Sequence, residues 1–214
     1  MYQRIDGAAW RHIYIVGDLH GCLSLLVDNL RRVRFDSRVD ALISVGDLID
    51  RGPDSLGCLR LIGKRWFFAV RGNHEAMALE ALATGDSALW AINGGRWYSA
   101  LSEKAKQEAC TQLAKARDLP LVIEVQSRAR RLIVAHADYP ASRYQWQQPL
   151  DEHAAVWSRA RINRLLAGEE GSIAGAEAFY FGHTPLGEPL TSGNLHYIDT
   201  GAVFGNPLTL VQVQ

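Results

Sequence analysis

The stretch His12-Ile13-Tyr14-Ile15-Val16-Gly17-Asp18-Leu19-His20-Gly21 decides the fold. A short apolar run that stops at a polar, glycine-containing turn reads as a buried strand from His12 to Val16. The turn itself carries a carboxylate and an imidazole. Cys22 to Arg34 follows with Leu23, Leu26, Val27, Leu30 and Val33 at helical spacing. The result is a strand, a polar loop and a helix in sequence.

The pattern then repeats. Ala41 to Val45 leads into Gly46-Asp47, with a helix predicted from about Pro53 to Ile62 and the proline in its first turn. Trp66 to Val70 reads as a third strand ending in Arg71-Gly72-Asn73-His74-Glu75. From Glu75 to about Asp118 the pattern is helical, broken at Thr84-Gly85-Asp86 and at Asn93-Gly94-Gly95. Afterwards β-branched segments dominate, with strands predicted at Leu121 to Val125, Arg131 to Val134, Phe179 to Phe181, Leu195 to Ile198 and Leu208 to Val213. This order predicts an α/β protein with layered mixed sheets and a helical insert at about residues 75–118. Composition is even from end to end and sets no internal boundary, so residues 1–214 read as one domain.

Lys plus Arg equals Asp plus Glu at 23 each, so no global positive field collects nucleic acid or an anionic membrane. Any charge that matters is local. Cys22, Cys58 and Cys110 are odd in number and scattered, which fits a reducing compartment rather than a disulfide framework or a zinc site. The first ten residues do not read as a secretory signal, and no apolar run approaches the ~20 residues of a bilayer span. A cytoplasmic protein is expected.

Five strand ends deliver groups suited to metal or phosphate: Asp18 and His20; Asp47, Asp50 and Arg51; Arg71, Asn73 and His74; His136; and His183. Loops at the carboxyl ends of strands in open α/β sheets form the binding crevice, so residues distant in sequence can meet there. Carboxylates and imidazoles with an added amide suit manganese, iron or zinc. Taken singly, each has a bland reading. Asp18 and Asp47 could be turn or cap residues, and His136 a core histidine bonded to a carbonyl.

The motifs Gly17-Asp18-Leu19-His20-Gly21, Gly46-Asp47-Leu48-Ile49-Asp50-Arg51-Gly52, Arg71-Gly72-Asn73-His74-Glu75, His136-Ala137-Asp138 and Gly182-His183-Thr184-Pro185 stand in one order along the chain. Trp157-Ser158-Arg159 and Tyr197-Ile198-Asp199-Thr200-Gly201-Ala202 join them. On these residues the chain resembles the phosphoprotein phosphatase branch of the calcineurin-like metallophosphoesterases, above all the phage-lambda-type and bacterial serine/threonine protein phosphatases. The resemblance implies an α/β/β/α sandwich and two divalent metal ions, manganese first, with iron or zinc as alternatives. By the same resemblance Asp18 and His20 hold the first metal, Asn73, His136 and His183 the second, and Asp47 bridges them. His74 is then the general acid, oriented by Asp50, and Arg51, Arg71 and Arg159 clamp the phosphate. The reaction implied is direct attack on phosphorus by a metal-bridging hydroxide.

Phosphoserine and phosphothreonine proteins are the expected substrates, with phosphotyrosine or phosphohistidine proteins as further ones. The rival is a symmetrical dinucleoside-tetraphosphate hydrolase, a branch that typically has alanine in place of Asp50 and lacks arginine in place of Arg71. A phosphate-binding scaffold without catalysis is the alternative of another class. Cysteine-dependent chemistry is disfavoured, because an arginine six positions after the nucleophile is missing: Asp28, Lys64 and Ala116 stand there. His12, His153 and His196 read as surface or packing residues. Trp90, Trp97, Tyr98 and Leu101 follow helical spacing and read as insert core, or as a cap over the groove. Arg128, Arg130 and Arg131 read as a solvated turn.

Overall fold

The computed structural model describes residues 1–127 and 130–214, so Arg128 lies outside the described residues. Among the described residues, ten strands form two mixed sheets. In the first, β10 (Leu210–Gln212) runs antiparallel to β2 (Ile13–Val16), and β2, β3 (Ala41–Ser44) and β4 (Phe67–Ala69) run parallel. The second has the order β1 (Tyr2–Asp6), β5 (Val122–Ser127), β6 (Arg130–Ala135), β7 (Ala178–Phe181), β9 (Leu195–Tyr197) and β8 (Leu190–Ser192). Here β1 is parallel to β5, β5 antiparallel to β6, and β6, β7 and β9 parallel.

Side-chain alternation along the strands assembles the layers. Ile13 and Ile15 of β2 and Leu132 and Val134 of β6 meet in one buried cluster between the sheets. Tyr14 and Val16 point the other way, into a cluster with Leu26 of α1 (Leu23–Arg32), Leu59 of α2 (Ser55–Leu59), Met77 of α3 (Asn73–Thr84), Trp90 of α4 (Ala88–Trp90) and Leu113 of α6 (Glu103–Ala116). Ile133 and Ala135 pack outward against Val156 of α7 (Glu152–Trp157) and Ile162 of α8 (Ala160–Leu166). The order of layers is therefore α/β/β/α. Between α4 and α5 (Arg96–Ser99), Ala91–Gly95 form a turn kinked at Gly94.

Several expectations need correction. Asp54, not a proline in the first turn, starts α2: its carboxylate accepts the Gly57 N–H at 2.7 Å, and Pro53 precedes this cap. The region after Asp118 is less purely β than its composition implies, since it contains α7 and α8. Strands β1 and β8 also escape the sequence pattern. Only Ile5 of β1 is buried, and β8 is an edge strand without a buried residue. Arg130 and Arg131 are exposed, as expected, but within β6.

Among the described residues, no helix is long and apolar enough to cross a membrane.

Candidate metal centre

Parallel pairing puts the ends of β2, β3 and β4 on one edge, and the ends of β6 and β7 meet them from the second sheet. Asp47 stands at the centre. Its Oδ2 lies 3.6 Å from His20 Nε2 and 3.9 Å from His74 Nε2, and its Oδ1 lies 3.4 Å from His136 Nε2. Asn73 Oδ1 is 2.9 Å from both His136 Nε2 and His183 Nδ1. Asp18 closes the set from the other side, with its two oxygens 3.2 and 3.1 Å from the His183 backbone N–H. A Cβ at residue 182 would overlap Asp18 Oδ1, so glycine there lets β7 deliver His183 against the carboxylate.

Three of the imidazoles are anchored from behind by main-chain carbonyls. His20 Nδ1 donates to Ile49 O at 2.8 Å, His136 Nδ1 to Val45 O at 2.7 Å, and His183 Nε2 to Trp157 O at 3.2 Å. Each bond sets the orientation of its ring and turns the second ring nitrogen toward Asp47 or Asn73, as metal-ligating histidines are commonly held. Backbone conformation concentrates here too. Of the seven non-glycine residues with positive φ among those described, His20, Asp47, Asp50, Arg51 and His183 make five. Such conformations cost on the order of 1–3 kcal/mol each and persist where surrounding structure over-determines them.

The electrostatics ask for cations. Burial, with Asp199 and Asp47 nearby, pushes the Asp18 carboxyl well above its usual range. Burial also works against ionised Asp47, but His136, His74 and His20 outweigh it and hold that carboxyl far down. Burial lowers His20 to about 4 and His183 to about 3, despite Asp47, so both are neutral near pH 7. Arg51 Nη1 sits 2.7 Å from His20 Nε2, so a guanidinium supplies positive charge at the lone pair that a metal would take. Among the described residues, two groups have the ligand proximity a metal requires: His20, Asp47 and His74; and Asp47, His136 and His183; Asp18 is in neither. The donors fit divalent ions. His74 also bonds through Nδ1 to Asp50 Oδ2 at 2.6 Å, and His74 and Asp50 are both buried. Arg71 Nη2 is 3.2 Å from Glu152 Oε2, and Arg159 Nε reaches Thr184 Oγ1 at 3.3 Å.

The calcineurin-like phosphoesterase family matches residues 11–187, which include every site residue expected from the sequence but not Asp199. The chain belongs to the calcineurin-like phosphoesterases. It is 52% identical to serine/threonine-protein phosphatase 1 of Salmonella typhimurium, over all of this chain and 97% of that one. It is 43% identical to serine/threonine-protein phosphatase 2 of Escherichia coli, over all of this chain and 98% of that one. A solved protein proposed to be a diadenosine tetraphosphatase superposes with a TM-score of 0.71 at 23% identity, covering 99% of this chain and 93% of that one, a likeness of fold. Membership of the calcineurin-like phosphoesterases implies divalent metal ions, and the two clusters are able to hold them.

Sequence reasoning quoted Glu75 and Asp199 within motifs but gave them no part. Glu75 is fully buried and accepts the N–H groups of Asp47, Leu48 and Gly72 at 3.0, 2.8 and 2.9 Å, tying β3's loop to the start of α3. Its place three residues after Gly72 has the spacing of the glutamate in a helix capping box, the signal that could have revealed it. Asp199 is a buried carboxylate whose charge bears on Asp18.

Proposed function

We propose that the chain is a metal-dependent phosphoprotein phosphatase, one catalytic unit over residues 1–214, that hydrolyses phosphoserine and phosphothreonine monoesters. The observation that carries this reading is the His74–Asp50 bond of 2.6 Å. Burial lowers the affinity of His74 for its proton, but Asp47 and Asp50 outweigh it and raise the net value above that of free histidine. A serine or threonine alkoxide is a strongly basic leaving group and needs that proton. The leaving group from a dinucleoside tetraphosphate is a nucleotide phosphate, which departs without one. An oriented, protonated imidazole is therefore suited to the monoester.

Asp18, His20 and Asp47 would hold one ion, and Asp47, Asn73, His136 and His183 the other. When bound, the ions supply positive charge to the phosphoryl oxygens and acidify a water. The nitrogen and oxygen donors fit manganese, with iron or zinc as alternatives. Asp47 would serve both, because its two oxygens face different imidazoles. His74 gives its Nε2 proton to the departing alkoxide while Asp50 holds Nδ1. Arg51, Arg71 and Arg159 bind the phosphoryl oxygens through guanidinium forks, which favour the spread of charge in the transition state. Full-length similarity to serine/threonine phosphatases supports the same reading. Three free cysteines and a net charge of zero support a cytoplasmic enzyme acting on phosphoproteins rather than on nucleic acid or membrane.

The test strips the protein of metal, restores manganese, and compares phosphoserine, phosphotyrosine and phosphohistidine proteins with diadenosine tetraphosphate. Phosphoserine turnover that depends on manganese and falls about a hundredfold or more in His74→Asn is expected. Preference for the nucleotide overturns the substrate assignment, and no manganese-dependent turnover of any substrate overturns the enzyme.

A further inference from the structure

Two indoles converge on one carboxylate behind the acid. Trp90, buried at the end of α4, donates its Nε1–H to Asp50 Oδ2 at 2.9 Å and to Oδ1 at 3.0 Å. Trp97, half-buried in α5, donates to Oδ1 at 2.7 Å. Their rings meet edge-on with centroids 6.1 Å apart, so each indole limits the tilt of the other. Among the described residues, the sole ionisable partner of the Asp50 carboxylate is His74. No arginine or lysine among those residues is paired with it.

That choice of donors has a chemical consequence. A buried carboxylate is costly unless its lone pairs are satisfied, and charged donors satisfy it most strongly. Neutral indole donors fix the carboxylate plane and leave its negative charge directed at the imidazole.

The backbone is shaped to make this convergence possible. Trp90 and Trp97 are seven residues apart, and between them the chain turns through Ala91–Gly95, kinked at Gly94, whose φ is 112°. The Gly94 carbonyl accepts the Arg51 N–H at 3.3 Å, joining the turn to the Asp50 loop. A Cβ on Gly95 would lie 2.5 Å from both Cδ1 and Nε1 of Trp90. The absence of a side chain at Gly95 is what lets that indole reach Asp50.

We propose that Trp90 and Trp97 are positioning residues for proton transfer: their indole N–H groups hold the Asp50 carboxylate so that His74 presents Nε2 to the leaving oxygen. The inference rests on the reading of His74 as the acid. Its test separates the two by leaving group, because an aryl phosphate departs with little protonation whereas a phosphoserine peptide does not. Trp97→Phe keeps the ring and removes the donor, and Gly95→Ala displaces the Trp90 indole while sparing Trp97.

With manganese-loaded enzyme, each variant is expected to lose about tenfold in kcat on a phosphoserine peptide, with much less loss on p-nitrophenyl phosphate. KM and manganese affinity by calorimetry should stay close to those of the parent; the melting temperature falls in Gly95→Ala, where the new Cβ crowds the buried Trp90 ring, so each assay is run well below the variant's own melting temperature. Equal losses on both substrates, or a loss explained by weaker manganese binding or unfolding, assign the tryptophans to packing and overturn the inference. His74→Asn is assayed beside them. If it shows the leaving-group difference and the tryptophan and glycine variants do not, the positioning role fails alone. If it shows none, the acid assignment fails first.

Discussion

At the scale of single residues, the metal-binding geometry depends on a group that would touch neither metal nor substrate. Asp47 adopts φ 48°, a conformation that a side-chain-bearing residue rarely holds without support. Glu75 gives that support by accepting three backbone N–H groups from the strand-end loops. Burial and the neighbouring Asp47 raise its carboxyl to about 7, so its amide contacts act against an intrinsically unfavourable environment. Glu75→Gln exchanges one carboxylate oxygen for an NH2 group that can only face donors. The variant is expected to lose about 1–3 kcal/mol of stability, read from urea midpoints at equal slope, and to bind manganese more weakly by calorimetry. Unchanged midpoint and affinity together would show that the loop holds its shape without this residue.

Among the elements, the starts of β2 and β3 are fastened by one buried carboxylate. Asp40, just before β3, receives Arg11 Nε at 2.9 Å, Arg11 Nη2 at 2.7 Å and the Asp36 N–H at 2.8 Å. Burial pushes this carboxyl up, but the Arg11 fork and the Asp36 amide outweigh it and hold it below its usual value. A depressed native value contributes stability that is complete above the unfolded value and lost as pH falls through the native one. Asp40→Asn should therefore cost about 1–3 kcal/mol at pH 7, with the gap to the parent narrowing below about pH 4. Urea titrations at pH 7 and pH 3 measure it, and a gap independent of pH rules out this linkage. Elements of this kind differ in how well the sequence announces them. Strands β2 and β3 are continuous apolar runs buried on both faces, and the chemistry of the site lies in the turns that end them, so both were legible. The six residues of α7 are too few to display a helical period, and β1 hides its single buried Ile5 among polar neighbours. The candidate site residues could be picked out because they sit in ordered motifs at strand ends. The bonds from Trp90 and Trp97 to Asp50 could not, because contact across 40 and 47 positions leaves no mark in spacing. Nor could the carbonyls of Val45, Ile49 and Trp157, which any residue type would supply.

Across the whole molecule, a net charge of zero conceals a strong internal segregation. Asp18, Asp47, Asp50, Glu75 and Asp199 are all buried, as are His20, His74, His136 and His183. The groups come from both layers: Asp18, His20, Asp47 and Asn73 follow strands of the four-stranded sheet, whereas His136 and His183 follow β6 and β7 of the other. An ion held by Asp47, Asn73, His136 and His183 would therefore join the two sheets across their shared core, while neutralising carboxylates that burial makes costly. Such binding favours the folded chain by mass action, since the unfolded chain does not assemble the donors. Manganese at a hundred times its dissociation constant should stabilise the protein by about 2.7 kcal/mol for one site. For a chain of this length that corresponds to a rise of roughly 5–10 °C in melting temperature. Chelation should reverse the rise, and His136→Ala should remove most of it, because that change takes a ligand from the ion that joins the sheets. Calorimetric scans with chelator and with graded manganese measure the shift. A melting temperature indifferent to both would mean that these side chains do not bind the ion in common, and the joining of the sheets by metal would have to be abandoned.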